Sequence, residues 1–227
     1  MRLGGLQKTS LIDYPGSVSA IVFTIGCNFH CPYCHNPELV DETAAEISQE
    51  AFFTFLEGRI GLLDAVTITG GEPTVHDDLP QFIARIKQLG FLVKLDSNGT
   101  NPTMLQELIN AKQVDYIAMD IKSPLQKYDS TVARPVDTAK IQESVTLLLE
   151  GNVPYEFRTT VVKALLPLED FQEIGTLIAG AHKYYLQKFI PTKLLNPAFR
   201  KKTVYTDEEF EALRKTMEQY VKICLVR

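Results

Sequence analysis

Three of the four cysteines, Cys27, Cys31 and Cys34, fall within eight residues, and the fourth, Cys224, stands 190 positions beyond them. A Cys-x3-Cys-x2-Cys run puts three thiolates on one short loop, spaced to point at a common centre, with no fourth sulfur nearby. On a 4Fe-4S cubane such a set leaves one iron without a protein ligand and free to bind something else, whereas electron storage usually takes four cysteines. The competing reading is a zinc site of three cysteines and one histidine, with His30 or His35 as the fourth ligand. Both histidines sit beside a cysteine in sequence, a cramped arrangement for zinc. A clustered triplet in a medium-sized chain does not resemble a disulfide framework.

The elements that must position these thiols follow from periodicity. Six short segments rich in β-branched and apolar residues read as strands: Val18 to Thr24, Ala65 to Thr69, Leu92 to Leu95, Tyr116 to Met119, Phe157 to Val162 and Tyr184 to Ile190. Helical patterns run from Ser48 to Arg59, Asp78 to Leu89, Pro102 to Ala111, Thr138 to Glu150 and Glu169 to Ala179. A last helix opens on a Thr206/Glu209 capping box and repeats Phe210, Leu213, Met217 and Val221 along one face. Such alternation implies right-handed βαβ units and a parallel sheet, curled into an incomplete barrel or open and doubly wound.

Polar and glycine-rich clusters stand directly after the first four predicted strands. They are Gly26-Cys27, Gly70-Gly71-Glu72-Pro73, Asp96-Ser97-Asn98-Gly99 and Asp120-Ile121-Lys122. In parallel α/β folds the carboxyl ends of the strands gather on one face, where ligand sites are built, so the four clusters are expected to converge. Arg158, inside the fifth strand and flanked by Phe157 and Val161, requires an anionic partner if buried: either a bound carboxylate or one of the protein's own acids. Cys224, followed by Leu225 and Val226, reads as a small apolar residue.

The 227 residues, with 45% apolar and 22% charged side chains, suit one hydrophobic core, and a single domain over 1–227 is expected. A formal charge of −5 lacks the positive field of nonspecific nucleic-acid binding. There is no signal-like start and no apolar run long enough for a membrane span, which leads us to expect a cytoplasmic protein with no membrane partner. The basic run Arg200-Lys201-Lys202 reads as a solvated loop.

Cys27-Asn28-Phe29-His30-Cys31-Pro32-Tyr33-Cys34 with Gly70-Gly71-Glu72-Pro73 downstream resembles the signature of radical S-adenosylmethionine (SAM) enzymes. Ser10-Leu11-Ile12-Asp13-Tyr14-Pro15-Gly16 and Val22-Phe23-Thr24-Ile25-Gly26-Cys27 narrow the resemblance to glycyl-radical-enzyme activases, most closely those of anaerobic ribonucleoside-triphosphate reductase. It is strong from Gly5 to about Lys122 and thin afterwards. It implies a partial (βα)6 barrel of parallel strands, a 4Fe-4S cluster held by Cys27, Cys31 and Cys34, and SAM chelating the open iron, to be cleaved reductively to a 5′-deoxyadenosyl radical.

Carried over by motif, the cofactor-binding set is Tyr33, Cys34, His35, Gly70, Gly71, Glu72, Asp96, Ser97, Asn98, Asp120, Ile121, Lys122 and Arg158. Tyr33 would meet the adenine, Gly70 and Gly71 would admit the methionyl ammonium to the backbone, and Asp96 with Asp120 would help bind a monovalent cation. Ser97 replaces the threonine of the pyruvate formate-lyase activase pattern. The implied partners are a glycyl-radical enzyme, anaerobic ribonucleotide reductase first, and a reductant such as flavodoxin or ferredoxin. With only three grouped cysteines, no auxiliary cluster is expected. Two other classes compete: a radical SAM enzyme acting on a small molecule, like 7-carboxy-7-deazaguanine synthase, and a zinc-stabilised interaction module. His35-Asn36 after the cluster motif departs from the magnesium-binding threonine often found in the former.

Overall fold

Uninterrupted apolar runs such as Ala20-Ile21-Val22 and Ile117-Ala118-Met119, all fully or nearly fully buried, form strands covered on both faces. The computed structural model describes Met1–Arg227, and its contacts cluster into two compact units. The first comprises Met1–Asn28, Glu38–Ser97 and Thr103–Ile117; the second comprises Phe29–Pro37, Asn98–Pro102 and Ala118–Arg227.

In the first unit β1 (Leu3–Tyr14) and β2 (Ser17–Thr24) form an antiparallel hairpin, closed at Pro15-Gly16, where Gly16 takes a φ of 75°. β3 (Ala65–Gly70) joins β2 in parallel, with Ala20 opposite Val66 and Thr24 opposite Gly70; β4 (Leu92–Ser97) adds in parallel to β3. Strand order follows chain order to β5 (Tyr116–Asp120), whose first residues belong here and whose last belong to the second unit. Two helices cross between strands: α2 (Gln49–Glu57), capped by the Ser48 hydroxyl on the Ala51 N–H, and α3 (Leu79–Gln88). Helix α3 buries Leu79, Phe82, Ile83 and Ile86, the i, i+3, i+4, i+7 stripe of an amphipathic helix. A short α1 (Pro37–Val40) and the connecting α4 (Pro102–Asn110) complete this stretch of chain.

In the second unit the order continues through β6 (Tyr155–Val161), β7 (Lys183–Lys188) and β8 (Ile223–Val226), with β6–β7 and β7–β8 parallel. Its helices are α5 (Tyr128–Val132), α6 (Thr138–Leu149), α7 (Asp170–Leu177) and α8 (Asp207–Met217). The expected capping box is present: Thr206 Oγ1 accepts from Glu209 N and the Glu209 carboxylate accepts from Thr206 N.

The expected α/β class, with parallel strands alternating with helices, is the architecture found. All six expected strands, and the five helices with stated bounds, lie within two residues of their sequence positions. Two strands escaped the sequence reading. Strand β1 carries Gly4-Gly5 directly after Leu3 and exposes Gln7, Lys8 and Thr9 in a row, so it lacks the alternation that marks a half-buried strand. Strand β8 is only four residues long and follows a helix closely. Cys224 lies there, 1% exposed beside Tyr184, and burial pushes its thiol up to about 12, in keeping with its reading as an apolar residue.

Candidate functional site

In the first unit the glycine cluster is built by close backbone approach. Gly70 ends β3 at a φ of 117°, and a Cβ there would stand 2.4 Å from Thr24 N. A Cβ on Gly71 would stand 1.9 Å from the Gly26 carbonyl oxygen, and the N–H groups of Gly71 and Glu72 donate to Thr24 O and Gly26 O. The space a side chain would fill is taken by the protein's own backbone, so the two glycines lock the end of β3 against the residue preceding Cys27.

Glu72 is buried at 2%, and its Oε1 accepts from Thr74 N (3.1 Å), Thr74 Oγ1 (2.6 Å) and Ser97 Oγ (2.9 Å). This carboxylate thereby ties the turn after β3 to the end of β4. Lys94, 3% exposed in mid-β4, reaches Asp96 Oδ1 at 2.5 Å. Lys94 was missed in the sequence, where a lysine in an otherwise apolar strand was the available signal.

In the second unit Asp120, Lys122 and Arg158 form one charged group. Asp120 Oδ1 accepts from Arg158 Nε (2.7 Å) and Oδ2 from Lys122 Nζ (2.9 Å). Burial alone would raise the Asp120 carboxyl, but the Arg158 guanidinium and then the Lys122 ammonium outweigh it and hold it below the usual carboxylate range. Burial likewise works against the charged Lys122, but Asp120 above all, with Tyr33 and Cys31, keeps the ammonium well above its ordinary value. Of the two partners open to Arg158, it has taken one of the protein's own acids. The Lys122 N–H donates to the hydroxyl of Tyr128, a fully buried ring packed edge-on to Phe29. Ile121 is pinned through its carbonyl, which accepts from Thr159 Oγ1, itself the acceptor of Tyr184 Oη–H. Tyr128, Thr159 and Tyr184 carry no motif, and only contact reveals their part.

The cysteine loop of this unit meets that group. Cys31 and Tyr33 are buried at 8% and 5%; burial pushes the Cys31 thiol up to about 11, against the pull of the nearby Lys122 ammonium. A buried thiol of this kind ionises at neutral pH when a metal takes the proton's place. The Tyr33 side chain is buried, and burial holds its hydroxyl well above its ordinary pKa. Cys34 Sγ accepts from Asn36 N at 3.4 Å, an N–H···S bond of the sort that steadies a thiolate. His35 is exposed, with Nε2 2.7 Å from Ile190 O and its ring against Phe189. Asn98 Oδ1 accepts from Thr100 N and Oγ1, which makes it a turn former.

All four cysteines are free thiols. Soft thiolates at Cys31 and Cys34, one with an N–H donor, suit iron–sulfur ligation. A monovalent cation fits less well: both oxygens of Asp120 and one of Asp96 already hold cations of the chain.

Comparison with known proteins bears on the whole chain. The pattern of the radical SAM superfamily matches residues 21–179. The chain is 34% identical over 230 residues, 99% of its length, to a protein of Methanocaldococcus jannaschii named as a glycyl-radical enzyme activating enzyme, 95% of which is covered. It is 30% identical to the pyruvate formate-lyase-activating enzyme of Listeria monocytogenes over 53% of each chain. Among solved structures, SuiB of Streptococcus suis bound to S-adenosylmethionine superposes with a TM-score of 0.70 at 12% identity, over 91% of this chain and 49% of that one. A domain of the pyruvate-formate lyase-activating enzyme from Bacteroides vulgatus gives 0.58 at 15%, over 72% and 99%. At such identities these two likenesses speak to fold.

Proposed function

The chain belongs to the radical SAM superfamily, and on that premise we propose that it is an activase that makes a glycyl radical on a partner enzyme, with anaerobic ribonucleoside-triphosphate reductase as the partner. The observation that carries the reading is the near full-length identity to a relative named for glycyl-radical enzyme activation. The N-terminal Asp13-Tyr14-Pro15-Gly16 and the Cys34-His35-Asn36-Pro37 segment, which resemble the reductase activases, support the finer assignment.

Cys27, Cys31 and Cys34 would hold the 4Fe-4S cluster. A cluster held there would supply one electron for the reductive cleavage of bound SAM to methionine and a 5′-deoxyadenosyl radical. The chain's own residues do the positioning. Gly70 and Gly71 let β3 close against Thr24 and Gly26, fixing the residue before Cys27. Glu72, steadied by Thr74 and Ser97, holds the turn whose backbone would face the SAM amino group. Asp120 keeps Arg158 and Lys122 in one orientation, which would set their positive charge toward a SAM carboxylate. Backbone around Tyr33 would meet the adenine.

The test is to mix reduced protein, SAM and an anaerobic ribonucleotide reductase without oxygen and record the electron paramagnetic resonance spectrum. A glycyl doublet on the reductase is expected. A doublet only with a different glycyl-radical enzyme would overturn the partner, and none with any candidate, together with turnover of a small molecule, would overturn the activase reading.

A further inference from the structure

The twenty residues from Gln187 to Thr206 contain five cations, Lys188, Lys193, Arg200, Lys201 and Lys202, and no acid, in a chain whose net charge is −5. All five are exposed. Sequence alone makes this a solvated loop, but the structure ties it to the cysteine loop. Leu195 N donates to Cys34 O (2.9 Å), Asn196 N to Pro32 O (2.9 Å), and His35 Nε2 lies 2.7 Å from Ile190 O. The segment therefore lies as a strap along residues 32–35.

The strap is also built to present its charges. Leu194 is buried at 4% and anchors it; Asn196 Oδ1 caps the 3-10 turn Pro197–Lys201 by accepting from Ala198 N, and Arg200 Nε donates to Thr192 O. Lys188 pairs with Asp207, whereas Arg200, Lys201 and Lys202 make no ion pair. Ile190, 60% exposed, adds an apolar centre beside this basic rim. A basic rim around an exposed apolar residue is the make-up of a transient, electrostatically steered docking surface.

We propose that this strap is the docking surface for a small acidic flavin-based one-electron carrier protein. The choice of carrier over glycyl-radical partner rests on where the strap is attached. Its backbone bonds directly to Cys34, so a carrier seated on it stands a few bonds from the thiolate-held centre. It gives up one electron there, with no proton or group moving. The proposal rests on the activase reading for its need of a reductant, but its test is separate.

The test measures binding of a reduced acidic flavodoxin to the reconstituted protein by titration calorimetry at low and physiological salt, with the rate of reduction by stopped flow. Reversing Arg200, Lys201 and Lys202 to glutamate should weaken binding at low salt at least about tenfold and flatten its salt dependence. Reduction by dithionite, the melting temperature and binding of the glycyl-radical enzyme should stay as in the parent. Reversing three exposed lysines elsewhere, Lys8, Lys140 and Lys222, should cost much less. If the triple variant folds poorly, Lys201→Ala with Lys202→Ala should give the same trend at smaller size. Parental carrier binding in the strap variants, equal loss in the control variant, or loss of affinity for the glycyl-radical enzyme instead would overturn the proposal. Failure to form a glycyl radical with dithionite as reductant would count against the activase reading alone.

Discussion

Asp120 is the residue on which the charged part of the site turns, because both of its oxygens are engaged by cations with little access to water. Replacing it by asparagine leaves Arg158 and Lys122 facing each other uncompensated. Allowing for the quarter of its side chain that is exposed, Asp120→Asn should cost about 2–4 kcal/mol in urea denaturation. The folded-state pKa is depressed, so this contribution is complete above the unfolded value of about 4 and is lost as pH falls through the folded value below it. The gap between parent and variant should therefore hold steady from pH 7 to about 4 and shrink only below, a pattern that urea midpoints across pH would check. Since Asp96 and Asp120 already hold Lys94, Lys122 and Arg158, replacing potassium by tetramethylammonium should change SAM affinity by no more than about twofold. A tenfold loss would mean that a monovalent cation sits there after all. Arg158 was legible as a buried cation in need of a partner, because Phe157 and Val161 flank it in its strand. Lys94 was marked only by its charge in an otherwise apolar strand, with its partner Asp96 two residues on, and Tyr128, packed under a loop, leaves no local signature.

At the scale of elements, what the sequence marked by period and capping is what the structure contains. Parallel strands covered on both faces write themselves as apolar runs, and the Thr206/Glu209 box writes the start of α8. Thr206→Ala should lower stability by about 1 kcal/mol, read from the denaturation midpoint, through loss of the Glu209 N–H acceptor. The polar clusters at strand ends were also legible, but the work of the glycines among them was not. At Gly70 and Gly71 the neighbouring strand end fills the space a side chain would need, a packing role that the sequence does not mark. Gly71→Ala should accordingly cost about 3 kcal/mol of stability, measured on protein without SAM, since the Cβ meets backbone and not a flexible side chain. Unchanged stability with impaired SAM binding would return Gly71 to a purely ligand-facing role. Strand β1 went unread because its pairing is irregular: the register with β2 shifts between Gln7 and Ser10 and again before Tyr14.

For the molecule as a whole, the family, the α/β class and the enzymatic character stand on the superfamily match and on a relative alike over nearly its full length. No helix is long and apolar enough to cross a membrane. The three cysteines carried this reading from the start, because few chemistries want three thiolates and an open fourth position. The strap at Ile190–Lys202 carried no signal, as its meaning lies in hydrogen bonds to residues more than 150 positions earlier. The most direct test of the account is product analysis after anaerobic reconstitution and reduction in the presence of SAM. The parent and Cys224→Ala should take up about four irons per chain and release methionine and 5′-deoxyadenosine in equal amounts, while Cys27→Ala, Cys31→Ala and Cys34→Ala do neither. Stoichiometric zinc with no iron uptake, or a loaded protein that leaves SAM intact, would contradict it.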